Sequence, residues 1–424
     1  MTETIATAGH AWRQMEEELR LIHDLIGGTA TMRRAGARWL PREDGESWSA
    51  WRARLHRSVL FNGVGRLVQV LSGNPFRKDI MLQDAHESLQ KIAHNMDGHN
   101  MSLTAFLRHL LYAMLCDGMV HIQIESSKSG GQPYFIIRRA QDVIGAVSDA
   151  AGGLGEVRMQ DSLIRKTGRY QEAVLNRIHL YSDTHWELWH EQDAAKGKWH
   201  KADEGTHDLG QVPLVPIIAN PTGFMTARPP LIDMAWLNLA HWQSASDQRH
   251  ILHVARVPIL FGRGLQMAER GLEIGPNRLI LSDDPTSDLR FVEHSGAAIA
   301  AGRQDLLDLE DRMAVMGLDM ITRRSGGMTA TARAIDSAQS HAALDAILTA
   351  LQSGMIAAFA LAARWMGLPA SSVGSLSLTS QRPLWGDFEQ QAAWLLQARQ
   401  SGELSQDQFL AEARRRGLLA PEAG

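Results

Sequence analysis

A single cysteine, Cys116, serves a chain of 424 residues. No disulfide can form within the chain, so a reducing compartment or a disulfide-free assembly fits it. The opening residues MTETIATAGH lack a basic region followed by an apolar one, and no secretion signal is expected from them. There is no run of lysine or arginine, and the formal net charge is −4. A protein that grips DNA statically carries a basic face, because phosphate contacts supply its affinity. Charge alone therefore speaks against static DNA binding. A protein that lets DNA slide past has the opposite need, and a neutral or acidic lining suits it.

Nucleotide and acyl-transfer signatures are missing as well. No G-x-x-x-x-G-K-[ST] occurs, so a P-loop motor is not indicated. No G-x-S-x-G elbow occurs either. Gly262-Arg263-Gly264 has no third glycine at the right place and sits in no βαβ unit, which argues against a dinucleotide site. There is no internal repeat and no low-complexity linker. The one long hydrophobic run, residues 342–363, includes Asp345, Gln352 and Ser353 and owes much of its apolarity to alanine. A buried packing helix explains it better than a membrane span, which wants about 20 strongly apolar residues.

What is present is an ordinary globular composition, 44% hydrophobic and 21% charged, in a chain long enough for two or more packing units. Residues 11–27 read as a first helix ending at Gly27-Gly28. Leu40-Pro41 and Asp44-Gly45 form a turn, and Ser47 is a plausible N-cap. Trp48, Trp51, Leu55, Val59, Val64, Leu67, Val68 and Leu71 then recur at steps of three to five, which predicts one long helix. Gly73-Asn74-Pro75 stops it. A further amphipathic helix covers 101–115. From about 119 to 220 the period becomes two, with strands expected around Val120–Ile124, 134–137, 174–181 and 186–189. Residues 211–217 are held extended by their prolines.

Pro229-Pro230 opens a helix predicted over 231–256, apolar around much of its first half and polar in its second. Pro258 ends it. A small insert follows to about residue 295, with short strands at 259–261, 278–281 and 289–292 and a turn at Asp283-Asp284-Pro285. A second long helix is expected over 297–321. Its Leu306, Leu309, Met313, Met316 and Met320 step by 3, 4, 3, 4 in one seam, and its other face carries Asp305, Asp308, Glu310, Asp311 and Asp319. Asp308 and Arg312 are spaced to pair. Arg323-Arg324-Ser325-Gly326-Gly327-Met328 breaks this helix, and an alanine-rich one follows to about Trp365. The tail offers a strand at 375–379 and two short helices split by Gly402, the second with a Ser405/Gln408 capping box and a stop at Gly417.

Eighteen histidines invite a search for metal. His185 and His190 in THWELWHE lack the H-E-x-x-H order, and five residues apart on a strand they face opposite ways. His250 and His253 lie one helical turn apart, with no organised carboxylates beside them. Solvated or interface histidines account for all of these, and His94 and His99 in HNMDGHN read as polar loop residues. Cys116 lies on an apolar helix face as a small core residue.

The stretches LPREDGESWSAWRARLHRSVLFNGVGRLVQVLSGNPFRK, THDLGQVPLVPI, PPLIDMAWLNLAHWQSASDQRHILHVARVPILFG and TATARAIDSAQSHAALDAI resemble tailed-bacteriophage portal proteins. Within these the similarity is to a subfamily long classed as a domain of unknown function. It runs from about residue 30 to 420. The third stretch is the most specific. The resemblance implies an α+β portal-type fold, not an enzyme and without a cofactor. A wing would be formed by 1–228 and 351–388, a two-helix stem by 229–256 and 297–321, and a clip by 257–296. Residues 322–350 would hold the tunnel loop and the start of its helix, and 389–424 a short helical crown.

It further implies a ring of about twelve subunits at one vertex of a virion, passing double-stranded DNA in packaging and ejection. Its partners would be the terminase large subunit, the scaffold or major capsid protein and the head–tail adaptors, with no membrane involved. In that scheme Asp305, Asp308 and Asp311 line the channel. Leu306, Leu309, Met313, Met316, Met320, Trp236 and Trp242 form the inter-subunit seam, and Arg263, Arg270, Asp283 and Asp284 offer the clip's docking surface. The tunnel loop would be Arg323, Arg324, Ser325, Gly326, Gly327 and Met328. Arg323 and Arg324 have two readings that stand side by side: transient contacts to the DNA backbone, or caps on the negative end of the preceding helix. A soluble metal-dependent hydrolase and a head-completion adaptor are the alternatives. The first needs a converging His/Asp/Glu cluster. The second is usually a much shorter chain without a stem–clip–stem unit.

Overall fold

Short local signals set the helices of the N-terminal region in a computed structural model of the chain. The model describes residues 3–126, 131–192, 197–255, 259–263, 286, 288–292, 297–318, 330–378, 396–397, 399–401, 405–406 and 408–410. Helix α1 (His10–Ile26) and α2 (Gly28–Ala35) abut at Gly27. The Ser47 hydroxyl accepts the Ala50 N–H and starts α3 (Trp48–Arg57). The Asn62 side chain does the same for Gly65 at the head of α4 (Gly63–Gly73). The single helix expected over this stretch is thus two. Ser58 has extended backbone dihedrals, and its buried hydroxyl donates to the Ser246 hydroxyl at 2.8 Å, which pins the break. Trp48 and Val59, expected on the apolar stripe, are left exposed, while Trp51, Leu55, Val64, Leu67, Val68 and Leu71 are buried.

Helices α5 (Glu87–His94) and α6 (Leu103–Asp117) follow. α5 was not expected; His94 is its last residue. α6 ends at Gly118, whose φ of +75° and closeness to the Arg228 carbonyl oxygen (2.6 Å from any added Cβ) leave no room for a side chain.

The strands come next: β1 (Met119–Glu125), β2 (Tyr134–Arg139), β3 (Val143–Ser148), β4 (Leu154–Lys166), β5 (Glu172–Ser182), β6 (His185–Glu191), β7 (Trp199–Thr206), β8 (Leu214–Ile218), β9 (Pro221–Gly223) and β10 (Thr226–Ala227). β1 is the centre of an antiparallel sheet ordered β2-β1-β8 and is buried on both faces. Its alternation of apolar and polar residues is the pattern of a strand with one face in water. Instead His121 and Gln123 are fully buried, because helices cover one side and residues of the second sheet, Tyr181 among them, pack on the other. That second sheet is a five-stranded antiparallel meander, β3 to β7 in order. β4 and β7 carry too many charges to read as strands in sequence.

The C-terminal part of this unit holds α7 (Ile232–Ala255), β11 (Ile259–Arg263), β12 (Asp288–Val292), α8 (Ala297–Leu318) and α9 (Ala330–Trp365). β11 and β12 pair antiparallel, Ile259 opposite Val292 and Arg263 opposite Asp288. The expected strand at 278–281 lies outside the described residues. The alanine-rich run belongs to α9. Among the described residues its 344–365 stretch is the one helix long and apolar enough to cross a membrane. Leu348, Leu351, Met355, Ala358, Phe359 and Ala362 are buried in the main core with α4, α6, α7 and β1. Phe106, Phe135 and Phe359 stack there edge to face or tilted, with centroids 6.2 and 5.5 Å apart. The expected tail strand reduces to one bridge, Ser375 with Gln83.

The fold is therefore mixed α+β. Residues 1–379 make one compact unit and 380–424 another. In the second unit the capping box is present: the Ser405 hydroxyl accepts the Gln408 N–H, and the Gln408 side chain accepts the Ser405 N–H. Gly402 and Gly417 lie outside the described residues.

Candidate functional site

α7 and α8 pack antiparallel and are joined by a polar ladder. His241 Nε2 meets Glu310 Oε1 at 3.1 Å, the Ser244 hydroxyl donates to Asp305 at 2.6 Å, and the Gln248 amide donates to the Ile299 carbonyl at 2.8 Å. Contacts fall about one per helical turn, as expected when partners recur every three or four residues. Gly302 permits this closeness, since a Cβ there would collide with the Gln248 side chain. The far flank of α7 is tied to the N-terminal region. Arg54, 3% exposed, holds Glu46 through two 2.9 Å bonds and Asp247 at 3.2 Å, and also donates to the Pro41 carbonyl.

The expected inter-subunit seam divides on this geometry. Trp242 is fully buried inside the chain, and Leu309 and Met313 are buried as well. They pack within their own chain and have no surface left for a neighbour, which corrects the expectation for these three. The seam periodicity was real; its partners are α7 and the core of the same chain. Leu306 is half-buried, Met316 is 40% exposed and Trp236 40% exposed, with Leu307 and Val315 also open. Met320 lies outside the described residues.

Asp305, Asp308 and Asp311 are exposed on α8. Asp308 takes a 2.7 Å bond from Gln304 instead of pairing with Arg312. Arg263 closes β11 opposite Asp288. Arg270, Asp283 and Asp284 lie outside the described residues, as do Arg323, Arg324, Ser325, Gly326, Gly327 and Met328.

Among the described residues no group of three His, Cys, Asp or Glu side chains converges as a metal site. His185 contacts the Ser182 hydroxyl at 2.6 Å, His190 meets His200 edge to face at 5.8 Å, and His250 meets Arg57 at 3.3 Å.

Two charge clusters, one buried and one half-buried, escaped sequence reading. Asp117, with no exposed surface, receives two bonds from Arg139 (2.9 and 2.7 Å) and contacts His23 at 2.7 Å. Burial pushes its carboxyl up, but the His23 bond and the Arg139 charge outweigh this and hold it below the usual range. Burial pushes the neighbouring Cys116 thiol up to about 12. On the adjoining sheet Asp161 gathers Arg138, Arg177 and His179, and it too is held low against the effect of burial. The one available signal was a lone aspartate closing the apolar helix LLYAMLCD. These clusters clamp α1, α6 and the two sheets together. His121, buried beside them, has its imidazole pushed down to about 4 by burial.

Beyond this internal geometry, residues 230–366 match a family model described as a domain of unknown function, DUF4055. That segment spans α7 through α9, the helix pair, its insert and the core helix. No curated protein matches the chain. Among solved structures, the chain is similar to one from the neck of an empty gene transfer agent particle computed with C6 symmetry, at 13% identity and a TM-score of 0.48, covering 85% of this chain and 90% of that one. It is also similar to one from the neck of the native particle computed with C12 symmetry, at 15% identity and a TM-score of 0.47, covering 93% and 100%. A chain from the virion of the native particle gives 13% identity and a TM-score of 0.46, covering 94% and 100%.

Proposed function

We propose that this chain is a portal protein: one subunit of a ring of about twelve at a single vertex of a tailed-phage head. The ring is the channel through which double-stranded DNA is packaged and ejected. It also docks the terminase large subunit, the scaffold or major capsid protein, and the head–tail adaptors.

The observation that carries this reading is the α7–α8 hairpin. Two helices of 24 and 22 residues run antiparallel, and the described residues of the insert between them pair as two antiparallel strands. At ~1.5 Å per residue each is over ~30 Å long. Trp236, Leu307, Val315 and Met316 stay open along the pair, as a stem needs if neighbouring subunits cover it. Asp308 and Asp311 project from α8 and suit a bore that repels phosphate over the ~8 Å range that salt allows. The segments assigned as wing, stem, clip, tunnel and crown keep their boundaries in this proposal. Arg263, Arg270, Asp283 and Asp284 serve the clip. Arg323 and Arg324, on a loop with Ser325, Gly326, Gly327 and Met328, touch the DNA backbone at the constriction.

Native mass measurement with class-averaged electron microscopy of the purified chain tests the reading. The expected result is a closed ring of about a dozen subunits with an axial hole wide enough for a duplex. A chain that stays monomeric at high concentration, with and without scaffold protein, would overturn it.

A further inference from the structure

The β4–β5 hairpin outruns its sheet. The last partner of β3 on β4 is Met159, and the last partner of β6 on β5 is Arg177. Beyond these, β4 and β5 pair only with each other, through Lys166 opposite Glu172. The five residues 162–166, at ~3.4 Å each, make a ribbon ~17 Å long. A two-stranded ribbon standing in water is marginal by itself. Here Ile164 and Val174 face each other across the strands at 68% and 63% exposure, and Tyr170 at the tip is 85% exposed with the Arg169 guanidinium 5.2 Å from its ring. The outer ribbon also carries Lys166.

At the root of the same ribbon lies a half-open cleft of about 390 Å³. Trp12 and Leu19 supply its apolar lining, Glu16, Asp24 and Asp142 its carboxylates, and Gln160 of β4 its rim. Arg20, paired with Glu16, is the one guanidinium in it. The cleft sets three carboxylates against Arg20 and His23 beside a small apolar patch; the ribbon tip sets Lys166 and Arg169 against Glu172 and has an aromatic end. They cannot meet within one chain. Gln160 at the rim and the tip are separated by six or more residues of straight strand, ~20 Å.

We propose that the ribbon of one chain docks its Arg169–Tyr170 tip in the Trp12/Glu16/Asp24 cleft of a second copy. The contact is heterologous: donor and acceptor differ, and each copy has both. Repeating it builds a head-to-tail series that closes into a ring where the rotation permits. This rests on the ring proposed above and names the surfaces that join it. The exposed Ile164–Val174 pair favours a protein partner over nucleic acid, because phosphate gains nothing from covering it.

Paired cysteines give the test. Gln160→Cys with Gln171→Cys places one thiol at the rim and one by the tip, too far apart for an intrachain disulfide, which needs Cα atoms within ~7 Å. Native Cys116 is buried and does not interfere. Oxidation of assembled rings is expected to give a covalent ladder up to the full ring, with either single variant giving no ladder. In parallel, Lys166→Glu with Arg169→Glu is expected to raise the concentration needed for assembly at least tenfold. Rings that form normally yet give no ladder overturn the docking and leave the ring intact. Charge-reversed rings that assemble like the wild type but lose retention on duplex DNA also overturn it, and identify the ribbon as a nucleic-acid contact. A wild-type chain that never assembles removes both proposals.

Discussion

Arg54 illustrates how a single charged side chain decides where two segments sit. It is 3% exposed, yet its guanidinium is satisfied by Glu46, Asp247 and the Pro41 carbonyl. Burial works against its charge, and the Glu46 bond more than offsets this, so its pKa is raised and that of Glu46 lowered. Removing one partner of a buried pair strands the other, which costs about 3–5 kcal/mol. Arg54→Ala is expected to lower unfolding free energy by about that amount in denaturant titration, and Arg54→Lys to recover little, since a lysine cannot hold Glu46 at two points. His121 makes the matching prediction for pH. It has no exposed surface, and its pKa is lowered to about 4 from 6.5. Between pH 6.5 and 4 the unfolded chain takes up a proton that the folded chain refuses, so stability falls as pH falls through that window. At about 1.4 kcal/mol per unit the loss is about 3 kcal/mol. His121→Gln should flatten the stability–pH curve across this interval while leaving the acid limb below pH 4, set by Asp117 and Asp161, in place. An unchanged slope would show that His121 is not the group responsible.

Among the elements, joints matter more than the helices they join. Gly118 combines a left-handed backbone with the Arg228 carbonyl at its back, and it turns α6 directly into β1. Gly118→Ala meets both the strain and a rigid backbone neighbour, so destabilisation of about 3 kcal/mol, at the upper end of what strained positions cost, is expected from calorimetry. The same logic explains why one predicted helix became α3 and α4. Apolar spacing persisted through Ser58, but spacing only reports which residues can be buried on a common face. The break came from the Ser58–Ser246 hydrogen bond and the Asn62 cap. At the candidate site, the α8 seam was visible as a 3-4-3-4 repeat. That repeat does not say whose surface it meets: Leu309 and Met313 face their own chain, and Met316 remains outside.

On the scale of the whole molecule, the proposed ring gives the remaining open residues of the helix pair a part in assembly and not in folding. Trp236 and Met316 each have 40% of their surface in water. Trp236→Glu with Met316→Glu is expected to leave the far-ultraviolet dichroism and the unfolding midpoint within a few degrees of wild type while abolishing higher-order assembly in sedimentation. A folded variant that still forms rings would remove these residues from the interface. Much of this architecture was legible beforehand. Pro229-Pro230, the apolar first half of α7, the glycines around the insert and the alanine-rich run set the order helix, small insert, helix, long helix. Those features are local, and proline, glycine and apolar period act over a few residues. Only tertiary structure decided that β1 is wet on neither face, that Asp117 is buried against Arg139 and His23, that a half-buried Asp161 gathers Arg138 and Arg177, that Trp242 is core, and that the β4–β5 ribbon stands clear beside a cleft with three carboxylates. Each depends on which distant segment arrives at a given face, and burial, charge pairing and exposure exist only once it has.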